Sequence, residues 1–183
     1  MSTVNGRPAP SDALVLFGVT GDLAYKMIFP ALYAMVKSGA LTVPVIGVAF
    51  PPITVAGLRD RATESIEGSG IAVDRRTLKR LLALLQYVSG DYKDANTFST
   101  LRQALGKAQR PAHYLAIPPA LFATVIEGLG AAGLAEQARV IVEKPFGRDL
   151  ASALRLNAVA RAAFPGDSTF RTATHLGEGG AVT

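Results

Sequence analysis

The chain has 183 residues, 49% of them hydrophobic and 18% charged, so it can bury a sizeable core and is not a charge-rich disordered segment. Its net charge is +5 and its pI near 9.7, yet it has no arginine-rich run and no basic stripe interleaved with aromatics, which argues against a nucleic-acid partner. Cysteine is absent and the two histidines, His113 and His175, stand far apart, so neither disulfides nor a metal site is expected.

Met1–Asp12 is polar and proline-bearing, without the apolar centre of a signal peptide, and reads as a flexible tail. No apolar run reaches the roughly 18 residues that cross a bilayer, so the expectation is a cytoplasmic protein without a membrane partner. Ala13-Leu-Val-Leu-Phe17 is an uninterrupted apolar run, which suits a strand buried on both faces. After the turn Gly18–Gly21, the spacing of Leu23, Ile28, Leu32 and Val36 predicts a helix ended by Gly39. Val45–Ala49 is a second buried strand. Helices capped by Thr54 (to Glu67) and Asp74 (to Leu85) come next, then a short strand at Tyr87-Val88. A helix from Asn96 to Ala108 precedes a fourth strand, Ala112–Ile117, stopped by Pro118-Pro119. A helix stopping near Gly133, a strand at Arg139–Val142 and a helix over Leu150–Ala163 complete the pattern.

Strands alternating with helices predict an α/β fold: a mostly parallel, doubly wound sheet with helices on both faces and right-handed crossovers. Ligands of such sheets lie beyond the carboxyl ends of the strands. The glycine turn, the double proline and Glu143-Lys-Pro-Phe-Gly147 all follow strands directly, so they converge on that edge.

Each segment has a chemical and a bland reading. Gly18-Val-Thr-Gly21 between strand and helix would bring the backbone close to a pyrophosphate at a helix N-terminus, although the Gly-x-Gly-x-x-Gly spacing is absent and an ordinary turn has the same form. Pro118 and Pro119 either open the backbone at the ligand edge or simply stop a strand. Lys144 at a strand's end could reach a phosphate, a hydroxyl or a nicotinamide amide, or form a structural ion pair with Glu143. Tyr33 and Lys37 have the Tyr-x-x-x-Lys spacing of short-chain dehydrogenases, but on the wrong helix, and His113 inside a strand reads as structural.

Taken together, Phe17-Gly-Val-Thr-Gly-Asp-Leu-Ala24, Val45-Ile-Gly-Val-Ala49, Tyr114-Leu-Ala-Ile-Pro-Pro119 and Glu143-Lys-Pro-Phe-Gly-Arg-Asp-Leu150 resemble glucose-6-phosphate dehydrogenases, in order and spacing, from about Leu14 to Arg171. The resemblance implies a Rossmann-like coenzyme domain over 13–170, between the tail 1–12 and a divergent tail 171–183. It implies oxidation of glucose 6-phosphate at C1 with hydride transfer to NADP. Gly18, Val19, Thr20, Gly21, Asp22, Leu23 and Ala24 would hold the coenzyme diphosphate. Asp91 and Tyr92 would lie near the adenosine, Tyr114 and Pro118 would line the cleft, and Lys144 would sit between nicotinamide and sugar.

The sequence departs from the family pattern at several points. Phe50 stands where a basic residue usually meets the 2′-phosphate of NADP, and no acidic residue replaces it, so NAD stays open as the coenzyme. Met27 stands where a lysine is usual, beside Lys26. The tail from Phe170 aligns His175 with the family's phosphate-binding histidine only through a one-residue gap, and Glu178 would repel a sugar phosphate, so glucose 6-phosphate is expected to bind weakly if at all. The family's general-base histidine belongs to a second domain beyond Thr183, so no catalytic residue is assigned and the isolated chain is expected to be catalytically incomplete. The alternative is a non-catalytic module that binds nucleotide, or a partner through the face the second domain would cover.

Overall fold

Ala13–Phe17 forms β1, buried at all five positions. Its side chains alternate between two cores. Ala13, Val15 and Phe17 join Phe98, Leu101, Val125 and Ile126, whereas Leu14 and Leu16 join Leu32, Val36, Leu58 and Leu81. A strand that is apolar on both faces requires helices on both sides of its sheet. In this computed structural model, which describes residues 3–4, 7–50, 52–143, 150–164 and 170–173, that is the arrangement found.

The sheet is completed by β2 (Val45–Ala49), β3 (Leu85–Ser89), β4 (Pro111–Leu115), β5 (Arg139–Glu143) and β6 (Phe170–Ala173). These are six parallel strands in the order β3-β2-β1-β4-β5-β6. Helices α1 (Phe29–Ser38), α2 (Val55–Gly68) and α3 (Arg75–Leu84) supply the core on one face. Helices α4 (Ala95–Leu105), α5 (Phe122–Ala131) and α6 (Leu150–Ala163) supply it on the other. The crossovers change face between β1 and β4, which is the topological switch point where such sheets open a crevice.

Local chemistry sets the element ends. Thr54 Oγ1 accepts the Gly57 N–H at 3.0 Å, and Asp94 Oδ1 accepts the Asn96 N–H at 2.9 Å. Asp74 Oδ2 accepts both the Thr77 hydroxyl (2.7 Å) and its N–H (2.8 Å), bonds that hold the carboxyl below its ordinary range. The Thr54 and Asp94 caps each contribute about 1 kcal/mol. On α1, Phe29, Leu32, Tyr33 and Val36 are buried, and each large apolar side chain sequestered this way adds roughly 1.5–3 kcal/mol.

The structure differs from the sequence-based expectations at several boundaries. The helix expected to reach Ala108 stops at Leu105, where the Gly106 N–H turns back onto the Arg102 and Gln103 carbonyls. The third strand begins at Leu85, directly out of α3. Phe170–Ala173 pairs in parallel with β5, so the sheet runs past the boundary set at 170. Thr3–Val4 pairs with Arg7–Pro8, and the chain is anchored from Ala9 on rather than loose through Asp12. The reason is Arg139, buried at the amino end of β5, whose guanidinium needs acceptors: it donates to Ala9 O and Ser11 Oγ, both at 2.6 Å. Asp12 in turn accepts the Gln109 and Arg110 N–H groups at 2.9 and 2.8 Å.

Two residues with chemical potential prove architectural. The Tyr33 hydroxyl accepts the Asp74 N–H at 2.7 Å, tying α1 to the cap of α3. His113 is fully buried in β4, its Nε2 2.9 Å from Leu134 O and its Nδ1 without a partner among the described residues. Burial lowers its pKa to about 4, so the ring is neutral.

Candidate functional site

The β1–α1 turn stands at the switch point, and the tips of three other strands fix its shape. Gly18 has φ +81°, and a Cβ there would lie 2.1 Å from Ala116 O, so only glycine lets the turn lie against the chain leaving β4. The Gly18 N–H is shared between Val48 O (2.9 Å) and the Tyr92 hydroxyl (3.0 Å). That hydroxyl donates to Val48 O at 3.1 Å, and burial raises its pKa to about 12, so it remains a neutral donor. The Tyr92 ring meets Phe17 edge-on, with centroids 5.7 Å apart. Val19 is wholly buried and fills the space above Gly47, where a Cβ would come within 2.7 Å of it. This explains the glycine in the middle of β2.

From the turn the chain enters a helix whose first full segment, Ala24–Ile28, is a π-helix. Pro30 accounts for this. Its ring conflicts with a carbonyl one turn back and it has no N–H, so the ladder opens and the Phe29 N–H reaches Ala24 O instead. Tyr25 O then has only Pro30 at the π-helical donor position. The buried hydroxyl of Ser65, on α2, donates to it.

The sequence-predicted residues divide as follows. Gly18, Val19, Thr20, Gly21, Asp22, Leu23 and Ala24 form the turn and the helix opening, with Asp22 and Lys26 as an exposed pair 3.9 Å apart. The Gly21 N–H closes the turn onto Gly18 O at 2.9 Å. Asp91 lies one residue past Gly90, whose N–H binds Ala49 O at 3.1 Å, and its carboxylate accepts the Lys93 N–H at 2.9 Å. Tyr92 approaches the turn from behind, with its hydroxyl engaged by the backbone. Tyr114 is fully buried in the α1–α3 core, so a cleft would meet that residue's backbone and not its ring. Pro118 is exposed where the chain leaves β4, and its carbonyl accepts the Leu121 N–H at 2.9 Å. Phe50 is 66% exposed at the tip of β2. Lys144 and His175 lie outside the described residues.

One contributor escaped the sequence reading. Arg61 on α2 donates from Nη2 to Thr20 O (2.8 Å) and Gly21 O (3.3 Å), and its guanidinium carbon lies 4.8 Å from the centre of the Tyr25 ring. A lone arginine in an amphipathic helix carries no sequence signal. Pro30 within a helical pattern does, and it could have marked the bulge.

This arrangement presents the N–H groups of a helix start at the switch point, where the N-terminus favours an anion. No described helix is long and apolar enough to cross a membrane, and no described cluster of side chains could hold a metal.

Comparison with known proteins agrees with this fold. The family model "Glucose-6-phosphate dehydrogenase, NAD binding domain" matches residues 15–180. Glucose-6-phosphate 1-dehydrogenase 1 of Mycobacterium tuberculosis is 46% identical over 96% of this chain, and the chain spans 37% of that relative's length. The Saccharomyces cerevisiae glucose-6-phosphate 1-dehydrogenase is 32% identical over 89% of the chain, which spans 35% of it. Among solved structures, the Mycobacterium avium glucose-6-phosphate 1-dehydrogenase superposes with a TM-score of 0.85 at 46% identity, covering 90% of this chain and 36% of its own. A glucose-6-phosphate dehydrogenase in complex with glucose 6-phosphate superposes with a TM-score of 0.78 at 29% identity, over 90% of this chain and 37% of its own. The chain thus belongs to the glucose-6-phosphate dehydrogenase family, of which it carries the NAD-binding domain.

Proposed function

We propose that this chain binds NADP, and NAD less well, across the carboxyl edge of its sheet, as the coenzyme-binding part of an enzyme oxidising glucose 6-phosphate to 6-phosphoglucono-lactone in the pentose phosphate pathway. The observation that carries this reading is the turn: Gly18 locked against Ala116 O, with the N–H groups of a helix start beyond it at the switch point. The residues fit a dinucleotide. Gly21 adds no side chain between the helix start and a diphosphate, and Phe50 offers an exposed apolar face at the tip of β2 for an adenine. Phe50 brings no charge to a 2′-phosphate, so the preference for NADP rests on family membership. Lys144 is assigned to the space between nicotinamide and sugar, and His175 to the sugar phosphate.

When bound, the oxidised nicotinamide supplies the hydride acceptor. The chain's own part is to hold the diphosphate and orient the ring. Taking the proton from the sugar's C1 hydroxyl needs a base, and His113, fully buried and without contact to solvent, does not meet that need. The chain spans about 37% of the length of its curated relatives, and the 183 residues alone are expected to bind coenzyme without turnover. Loss of a general base alone costs about 10²–10⁴ in rate. Calorimetric titration with NADP⁺ and NAD⁺, paired with an assay for NADPH formation from glucose 6-phosphate, tests both halves. Binding without NADPH is the expected result. Absence of binding refutes the reading, and turnover by the chain alone refutes its incompleteness.

A further inference from the structure

Among the described residues, the cation nearest the turn is in an unusual position. Arg61 is partly buried, its Nε is buried without a hydrogen-bond partner, and no described carboxylate pairs with it. A guanidinium removed from water without a counter-charge is costly unless a counter-charge arrives. Its one strongly engaged nitrogen, Nη2, bonds the carbonyls of Thr20 and Gly21 from the side opposite their N–H groups.

Each of those carbonyls shares a peptide plane with a donor of the turn. Thr20 C=O is joined to the Gly21 N–H, which donates to Gly18 O at 2.9 Å, and that carbonyl shares its plane with the Val19 N–H. Gly21 C=O is joined directly to the Asp22 N–H. A cation at the carbonyl end of such a chain polarises every amide along it, and hydrogen-bonded peptides strengthen one another. The two relays end at the Val19 and Asp22 N–H groups, both within the segment proposed above to hold the dinucleotide diphosphate.

We propose that Arg61 is a positioning residue of the dinucleotide site: from behind, it fixes the Thr20–Gly21 peptides and lends its charge through them to the diphosphate-binding amides. The proposal rests on the dinucleotide reading. It predicts that Arg61 serves the diphosphate, which NAD and NADP share, and not the 2′-phosphate, which only NADP has.

The test uses the 183-residue chain and its Arg61→Lys, Arg61→Gln and Arg61→Met variants, each titrated with NAD⁺ and NADP⁺ at several salt concentrations, with melting temperature measured alongside. Arg61→Met and Arg61→Gln should weaken both nucleotides by the same factor, about tenfold, with a shallower dependence of affinity on salt. Arg61→Lys keeps a cation within reach of the carbonyls and should bind to within about threefold of the unmodified chain. A merely structural role would lower the melting temperature without changing the salt dependence of folded variants, and that result overturns the proposal. So does a loss confined to NADP⁺, which would mean direct contact with the 2′-phosphate. If Arg61→Met does not fold, Arg61→Gln, which keeps a donor but not the charge, decides alone: full affinity overturns the proposal. Failure of the unmodified chain to bind either nucleotide overturns the dinucleotide reading first, and this inference with it.

Discussion

Replacing Gly18 by alanine tests the tightest contact of the site. Two costs combine. Gly18 has φ +81°, where an L-residue costs roughly 1–2 kcal/mol. The new Cβ would stand 2.1 Å from Ala116 O and 2.9 Å from both Ala116 C and Ile117 Cγ2. Two of those atoms are backbone and cannot rotate away, so the tip of β4 must shift. Overpacking of this kind costs about 1–3 kcal/mol more. The total, about 2–5 kcal/mol, is a large share of the roughly 5–15 kcal/mol that stabilises a domain. Gly39 provides the control: its φ is +80° and nothing lies within 4 Å of its Cβ position, so Gly39→Ala should show the conformational cost alone. Urea denaturation of both variants separates the effects. Gly18→Ala should be less stable than Gly39→Ala by about 1–3 kcal/mol, with a melting temperature lower by about 2–4 °C for each kcal/mol. It should also lose most of its dinucleotide affinity. Equal destabilisation of the two variants would refute the claim that the turn is pressed against the chain leaving β4.

Gly21 should behave in the opposite way. Its φ is ordinary and its nearest obstacle is Gly18 O at 3.2 Å, so Gly21→Ala should cost about 1 kcal/mol or less in urea; if the proposed diphosphate site is right, the added methyl should nonetheless weaken the nucleotide more than tenfold by calorimetry. Phe50→Arg restores a cation at the exposed tip of β2, and the ratio of NADP⁺ to NAD⁺ affinity should rise about tenfold; an unchanged ratio would place the 2′-phosphate elsewhere. His113 sets a pH dependence. Its pKa falls from 6.5 to about 4 on folding, so between those values the unfolded chain takes up a proton that the native state refuses. The stability present above pH 6.5 should decline by about 3 kcal/mol as the pH falls to about 4, and His113→Leu should flatten that part of the profile in urea melts.

The fold is legible where a physical period or cap is strong. The strands Ala13–Phe17 and Val45–Ala49 declare themselves as apolar runs, and Thr54 and Asp74 announce the helices they cap. Phe170–Ala173 does not, because Arg171 and Thr172 break the apolar run and the strand is specified by its pairing with β5. The anchoring of Ala9–Asp12 is likewise invisible in sequence, since its cause, Arg139, lies more than a hundred residues away. At the site, Gly18 and Gly21 mark the turn, but sequence could not separate a residue facing a ligand from one supporting the backbone. Tyr92 and Tyr114 show the difference: one hydroxyl braces Gly18 and the other ring is fully buried. Arg61 stayed hidden because its contacts are with carbonyls forty residues away, which no spacing rule reports.

The most direct test of the dinucleotide site is amide chemical-shift mapping of the isotopically labelled chain during titration with NADP⁺. The largest perturbations should fall on Val19, Gly21, Asp22 and Leu23, with smaller ones at Phe50 and near Pro118. Perturbations centred on the opposite edge of the sheet, around Arg110 and Arg139, or none at saturating nucleotide, would contradict the account.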